Sequence, residues 1–398
     1  MAIQLDDYGR SYLQLVLEID KHIDGYIDAY YGPVDLKTAV ATTDKKDPAA
    51  LLDDVAQLQA TIPQADSQRA AYLAAALRAF DCTVRLLNGE QFVYIEEVEC
   101  LYDISPEPVA ESRFEAAHRE LDTLLPGTGH LAERIEARRQ RYYIGQEQIL
   151  PLLELARAET RRRTAELVDL PNDEEVEIRL AHNQPWGAYN WYLGNGRSLI
   201  EFNTDVPTSA LGLLSTFAHE GYPGHHTESM LKEMHLYRQK GYAEQAAMLL
   251  HSPAAVIAEG TATHAVEIIF PDDSHHQWTR DVLLPEARIE TEETVAQMAR
   301  LSQASDQLRY VRGNAALLYH NGQLNQAQTI DYIQTYALAT PERAAKSFGF
   351  LSHPLFRSYI FTYTQGYDLI AQAASDKTTL FRRLLTEQIL PSQLRDQT

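Results

Sequence analysis

Three histidines and a glutamate fall within eight residues in the run HEGYPGHHTE, residues 219–228. It opens as a zinc peptidase helix does, with His219 followed by Glu220. In the HExxH arrangement two histidines four residues apart share one helix face, about 40° apart around the axis and about 6 Å along it. Both imidazoles then reach one zinc ion, and the intervening glutamate lies beside a bound water. Here the fourth residue after His219 is Pro223, and the available imidazoles are those of His225 and His226. On a straight helix His225 points about 240° around the axis and His226 sits about 10 Å along it, so neither shares an ion with His219.

A straight helix is not what these residues allow. Pro223 has no N–H to give the carbonyl of His219, and its ring collides with that same carbonyl. Gly224 permits backbone angles closed to other residues. The pair predicts a break or wide turn over 222–224, with Pro223 as an early residue of the next helix. Such a turn can swing a following imidazole back toward His219. His225, the nearer, is the preferred second ligand, which leaves His226 as a supporting or substrate-facing group.

A zinc hydrolase generally needs a third protein ligand and one position left for water. The run AVIAEGTATHAVEIIF, residues 255–270, reads as a buried helix carrying Glu259 in an apolar setting. A buried carboxylate is costly without a cation, which a metal or an arginine could supply. Glu259 is therefore the candidate third ligand. Gly260 beside it would let another backbone approach closely, and His264 and Glu267 are weaker candidates for supporting roles.

HEGYPGHH followed by AEGTA resembles the HExxPGHH…EG pattern of the bacterial domain-of-unknown-function family numbered 885, whose members are similar to gluzincin zinc metallopeptidases. HIDGYIDAYYGPVDL (22–36) and FTYTQGYDLI (361–370) also look like segments of that family, so the resemblance spans nearly the whole chain. It implies a mainly helical fold, one zinc ion per chain held by His219, His225 and Glu259, and Glu220 as catalytic base. One departure is the helix after AEG, which reads TATHAVE where the family often carries large aromatics.

The chemistry of the residues runs the same way. Zinc makes water a nucleophile near neutral pH and polarises a carbonyl. Glu220 could take the water proton and pass it to the leaving amine, and the developing oxyanion needs a further donor. Tyr359, Tyr363, Tyr367, Arg312 and His320 on the late helices are candidates, with Tyr363 favoured because it lies in the family-like segment. Arg309, Arg312 and Arg357 could grip a peptide carboxylate. In gluzincins an edge strand beside the metal binds peptide as an added strand. That role would fall to IEFNTDVP (200–207), with Asn203 and Thr204 as substrate neighbours.

The elements that must position these groups are mostly helical. Apolar residues recur at three- and four-residue steps over 7–30, 48–62, 66–88, 108–124, 128–145 and 147–168. They recur again over 225–240, 243–250, 253–268, 278–303, 306–321, 325–336, 341–347, 354–375 and 378–388. Between 174 and 204 the pattern alternates instead, and Asn195-Gly196 marks a hairpin turn. The expected architecture is a large helical body with one small antiparallel sheet of about three strands next to the metal-site helix. An N-terminal helical region, 1–170, would pack on a catalytic region, 171–398.

Composition sets the outer bounds. With 56 Asp and Glu against 35 Lys and Arg, the net charge of -21 works against binding nucleic acid or an anionic membrane. The N-terminal segment lacks the basic start and unbroken apolar stretch of a secretory signal, so the expected location is the cytoplasm. The two cysteines, Cys82 and Cys100, form no CxxC pair and read as small buried apolar residues. The leading expectation is a zinc-dependent hydrolase of short peptides or small amides. The alternatives are a metal-dependent hydrolase or lyase of a non-peptide small molecule, and a catalytically silent metal- or peptide-binding protein.

Overall fold

The computed structural model describes residues 5–184, 186–373 and 376–395; the first four residues of the N-terminal segment and the end of the helix expected over 354–375 lie outside them. The body is mainly α-helical, with two small sheets among the described residues.

The first helix, Asp7–Asp20, starts where the Asp6 carboxylate accepts the Gly9 N–H at 2.7 Å. The apolar stripe over 7–30 does not make one helix. It stops at Asp20, Gly25 turns the chain at φ +78°, and residues Ile27–Tyr30 form strand β1. The helical pattern over 243–250 is also overruled. A 3₁₀ turn, Ala243–Ala246, leads into strand β5, Ala247–Leu249, which pairs antiparallel with β1.

Strands β2 (Glu175–Ala181), β3 (Ala188–Gly194) and β4 (Arg197–Asn203) form the other sheet, in the order β2-β4-β3. Asn195 and Gly196 both take positive φ, 57° and 68°, and join β3 to β4 as an antiparallel hairpin. β2, by contrast, runs parallel to β4, so the sheet is mixed rather than antiparallel. β4 lies in the middle with both edges paired, and β3 is an edge.

This sheet seats the helix that ends in His219 and Glu220. Val176, Ile200 and Phe202 pack on Leu213, Leu214 and Phe217 of the helix Ala210–Glu220, and on Leu152 and Leu153 of the helix Gln146–Leu167. The helix start is tied down by the Ala210 N–H, which donates to the Tyr142 carbonyl at 2.9 Å.

The helix Pro253–Ile269 begins at Ser252, whose hydroxyl accepts the Ala254 N–H at 3.0 Å. It crosses the helix Ile360–Ala373 where Gly260 meets Gly366. A Cβ on Gly260 would lie 2.6 Å from the Gly366 carbonyl, and one on Gly366 would lie 2.3 Å from the Val256 oxygen. Backbones in such contact fix the height and rotation of Glu259. Buried clusters run across residue 170: Leu13, Val16 and Phe80 pack with Tyr237 and Leu249, and Cys82, Val98 and Tyr102 pack with Val256 and Phe361. Both cysteines are free, Cys82 buried and Cys100 partly exposed.

Candidate metal centre

The helix Ala210–Glu220 ends at the position required by the sequence, and the next helix, His225–Lys232, starts after a four-residue turn. Pro223 stands in that turn, after a cis Tyr222–Pro223 peptide, rather than inside the second helix. The break is closed by backbone hydrogen bonds. The Gly221 N–H donates to the Phe217 carbonyl at 2.7 Å, the Gly224 N–H to Ala218 at 3.0 Å, and the Glu228 N–H to Gly224 at 3.0 Å. Gly224 is obligatory: a Cβ there would sit 1.9 Å from the His219 carbonyl oxygen.

The turn brings His225 back beside His219. Their ring centroids are 4.7 Å apart, with planes at 89°. Glu259 reaches the same point from its own helix, its Oε2 lying 3.4 Å from His219 Nε2 and 3.7 Å from His225 Nε2. One nitrogen or oxygen of each residue falls within 4.8 Å of the others. Donors held about 2.0–2.1 Å from a tetrahedral zinc lie about 3.4 Å from one another, so these positions fit the ion.

The donor set also carries the electrostatic mark of a cation site. Glu259 Oε1 accepts the Tyr359 hydroxyl at 2.6 Å, whereas Oε2, buried and facing the imidazoles, has no hydrogen-bond partner among the described residues. A buried carboxylate oxygen left in this state is expensive unless it meets a cation. Burial alone would raise the Glu259 pKa, but the imidazoles of His219 and His225 hold it well below the usual carboxylate range. Burial would likewise lower His225, yet Glu259, with Glu220 and Glu228, pushes it up to about 10.

Glu220 is buried at the end of the helix Ala210–Glu220, and burial raises its carboxyl against the opposing pull of His219 and His225. The Asn190 side-chain amide on β3 donates to the Glu220 carbonyl and pins this helix end to the sheet. Tyr363 lies one helical turn after Tyr359, with ring centroids 5.7 Å apart. Its hydroxyl forms no hydrogen bond among the described residues, and it feels the charges of Glu259, Arg312, Glu220 and Asp28. Burial keeps it protonated, and therefore a donor.

Other expected site residues are committed elsewhere. His226 is turned toward the sheet and fully buried, with Nε2 3.1 Å from Glu174 Oε2 and Nδ1 2.8 Å from Ser198 Oγ. Burial lowers its pKa, so a neutral ring donates to Glu174 and accepts from Ser198. It cannot meet substrate. Asn203 lies at the end of the central strand, its amide donating to the Gln184 and Trp186 carbonyls at 2.9 and 3.0 Å. Thr204 pairs with Ala181 and His182. With both its edges paired, β4 cannot accept a peptide as an added strand. His320 gives its Nε2 to the Leu351 carbonyl contact at 2.8 Å and lies over Tyr94. Tyr367 stacks on His264 and bonds Glu267, and neither His264 nor Glu267 joins the triad.

Two groups escape a sequence reading. Asp28 on β1 accepts the Tyr189 hydroxyl, and burial raises its carboxyl to about 7, opposed by His225 and reinforced by Glu259 and Glu220. It thus belongs to the same charged neighbourhood. Glu174 gathers the Tyr222 hydroxyl, His226 and Arg161, the last at 2.6 Å, and so clamps the turn. Asp28 does lie within the family-like 22–36 segment, which was the available signal; nothing comparable marks Glu174.

No protein-family model matches the chain, and no curated protein matches it. Among solved structures, the crystal structure of a "putative lipoprotein" from Colwellia psychrerythraea has a similar fold, with a TM-score of 0.55 at 14% identity. The likeness covers 86% of this chain and 65% of that one, so this chain spans about two-thirds of that structure's length. At such identity the fold alone is shared. Among the described residues no helix is long and apolar enough to cross a membrane.

Proposed function

We propose that this chain is a zinc-dependent hydrolase that cleaves amide bonds of short peptides, working in the cytoplasm. The observation that carries the reading is the convergence of His219, His225 and Glu259 within 4.8 Å, with the one unpartnered Glu259 oxygen facing both imidazoles. The resemblance of HEGYPGHH and AEGTA to the family numbered 885 supports the same reading.

Zinc held by His219, His225 and Glu259 would supply Lewis acidity and would make water a nucleophile near neutral pH. The chain's own groups do the rest. Glu220, adjacent to a ligand and outside the ligand set, accepts the proton of the attacking water and returns it to the leaving amine nitrogen. A bound cation would draw its raised pKa down again, toward a base active near neutrality. The Tyr363 hydroxyl donates to the oxygen on which negative charge develops. Tyr359 keeps Glu259 oriented and is not free for that task.

Metal analysis of the purified protein tests the reading first, with about one zinc per chain expected. His219→Ala and Glu259→Ala should each abolish stoichiometric zinc. Glu220→Gln should keep the metal and lose cleavage of a peptide library followed by mass spectrometry. Unchanged zinc content in both ligand variants would remove this centre, and a zinc-loaded protein that cleaves nothing would remove the hydrolase.

A further inference from the structure

Of the three arginines expected to meet a peptide carboxylate, Arg309 pairs with Asp306 at 2.8 Å, and Arg312 is exposed on the helix Val311–His320. Arg357 is engaged inside the protein, two residues before Tyr359. Both stand in a run of turns between the helices Pro341–Ser352 and Ile360–Ala373. No helix ladder places side chains on such a segment, so contacts from elsewhere must place Tyr359.

Those contacts come from the helix Tyr94–Tyr102, far earlier in the chain. Glu97 is buried in its first turn, where free helix N–H groups favour a carboxylate. Its oxygens take the Arg357 guanidinium in a bidentate pair, Nε donating to Oε1 at 2.8 Å and Nη2 to Oε2. Oε1 also accepts the buried Ser358 hydroxyl at 2.6 Å. Three residues earlier, on the same helix face, the Tyr94 hydroxyl donates to the Arg357 carbonyl at 2.6 Å. The Tyr102 ring meets the Tyr359 ring edge-on, with centroids 6.2 Å apart. Behind it, the Tyr359 carbonyl accepts the Thr362 N–H at 2.9 Å and the Thr362 hydroxyl at 2.7 Å. Tyr359 is thus fixed from both sides, and its hydroxyl meets Glu259 Oε1 at 2.6 Å. Val98 and Tyr102 share a buried cluster with Val256, three residues before Glu259, so one helix braces both partners of that bond.

Resting on the metal-centre reading above, we infer that Glu97 is a positioning residue for the centre. Through Arg357 and Ser358 it sets Tyr359, and through Tyr359 it sets the rotamer in which Glu259 presents Oε2 to His219 and His225. A buried ion pair is weak evidence for stability. What this one supplies is direction, because a guanidinium meets both carboxylate oxygens along parallel N–H bonds. An amide in place of Glu97 keeps one acceptor but turns an NH2 group toward the guanidinium, and the fork loses a bond.

Competition of the purified chain with a chromophoric chelator for zinc reads this role. Glu97→Gln should weaken zinc binding about tenfold, and by no more than Tyr359→Phe does. Ser358→Ala, which removes one hydrogen bond and no charge, should weaken it about two- to tenfold. In the Tyr359→Phe background Glu97→Gln should change the affinity by less than about twofold, because its route to the metal is already cut. Glu244, buried and bidentate with Arg69 at 2.8 and 2.9 Å, is the control. Glu244→Gln should lower the melting temperature and leave zinc affinity unchanged. An affinity unmoved by Glu97→Gln and Ser358→Ala, full additivity with Tyr359→Phe, or equal weakening by Glu244→Gln overturns the inference. Should Glu97→Gln not fold, Ser358→Ala, alone and combined with Tyr359→Phe, makes the same comparison. A wild type that takes up no zinc is a different result, and removes the metal centre itself.

Discussion

The hydroxyl of Tyr359 donates to Glu259 Oε1 at 2.6 Å, and so turns the other oxygen toward the Nε2 atoms of His219 and His225. A carboxylate held in this way would lose little freedom on taking an ion. Tyr359→Phe should weaken zinc binding by about 10- to 100-fold. Competition with a chromophoric chelator measures this, and an unchanged affinity would show that Glu259 is oriented by packing alone.

The contact of Gly260 with Gly366 should tolerate no side chain. Gly366→Ala places a methyl group 2.3 Å from the Val256 oxygen, so the two helices must separate, at a cost of about 1–3 kcal/mol or more. Zinc content should fall with it, because Glu259 moves with its helix. Gly349→Ala, which meets nothing within 4 Å, is the control: in a helix it should be neutral or stabilising by about 0.5–1 kcal/mol. Urea unfolding of the two variants compares them directly.

Tyr363, with its hydroxyl free, should act on the transition state more than on bound substrate. Tyr363→Phe is expected to lower kcat by about 10²–10³ with KM little changed. A rise in KM at constant kcat would instead give it a binding role.

Glu174 offers a stability test away from the ligands. Burial would raise its pKa, but hydrogen bonds from His226, Tyr222 and Arg161 bring it down to about 2 from an ordinary 4.5. A depressed carboxyl stabilises the fold above its unfolded value and loses that contribution as pH falls through the folded one. The contribution is on the order of 3 kcal/mol near neutrality, and it should fade between about pH 4.5 and 2. Denaturant unfolding across that range should show the loss in wild type, and Glu174→Gln should flatten it.

Much of this architecture is legible without coordinates, and the failures have a common cause. The helical body follows from apolar spacing, the β3–β4 hairpin from Asn195-Gly196, and the broken helix from Pro223 and Gly224, because each is decided within a few residues. Ile27–Tyr30 was hidden because Ile23 and Ile27 continue a helical spacing by coincidence, while pairing with Ala247–Leu249 decides the outcome. The same distance effect conceals the parallel direction of β2, and with it the central place of β4. His226 invited a role beside His225, yet adjacent residues on a helix point about 100° apart, and here the second ring turns into the sheet toward Ser198. Asp28 matters through partners on other segments, the Tyr189 hydroxyl among them.

The turn at 221–224 has one more consequence. Because it sets His219 and His225 on separate rods, and Glu259 rides on a third, an ion at their meeting point would be a clasp across distant stretches of chain as well as a reagent. Chelation should therefore loosen the molecule along with silencing it, and the melting temperature should climb with free zinc by simple mass action.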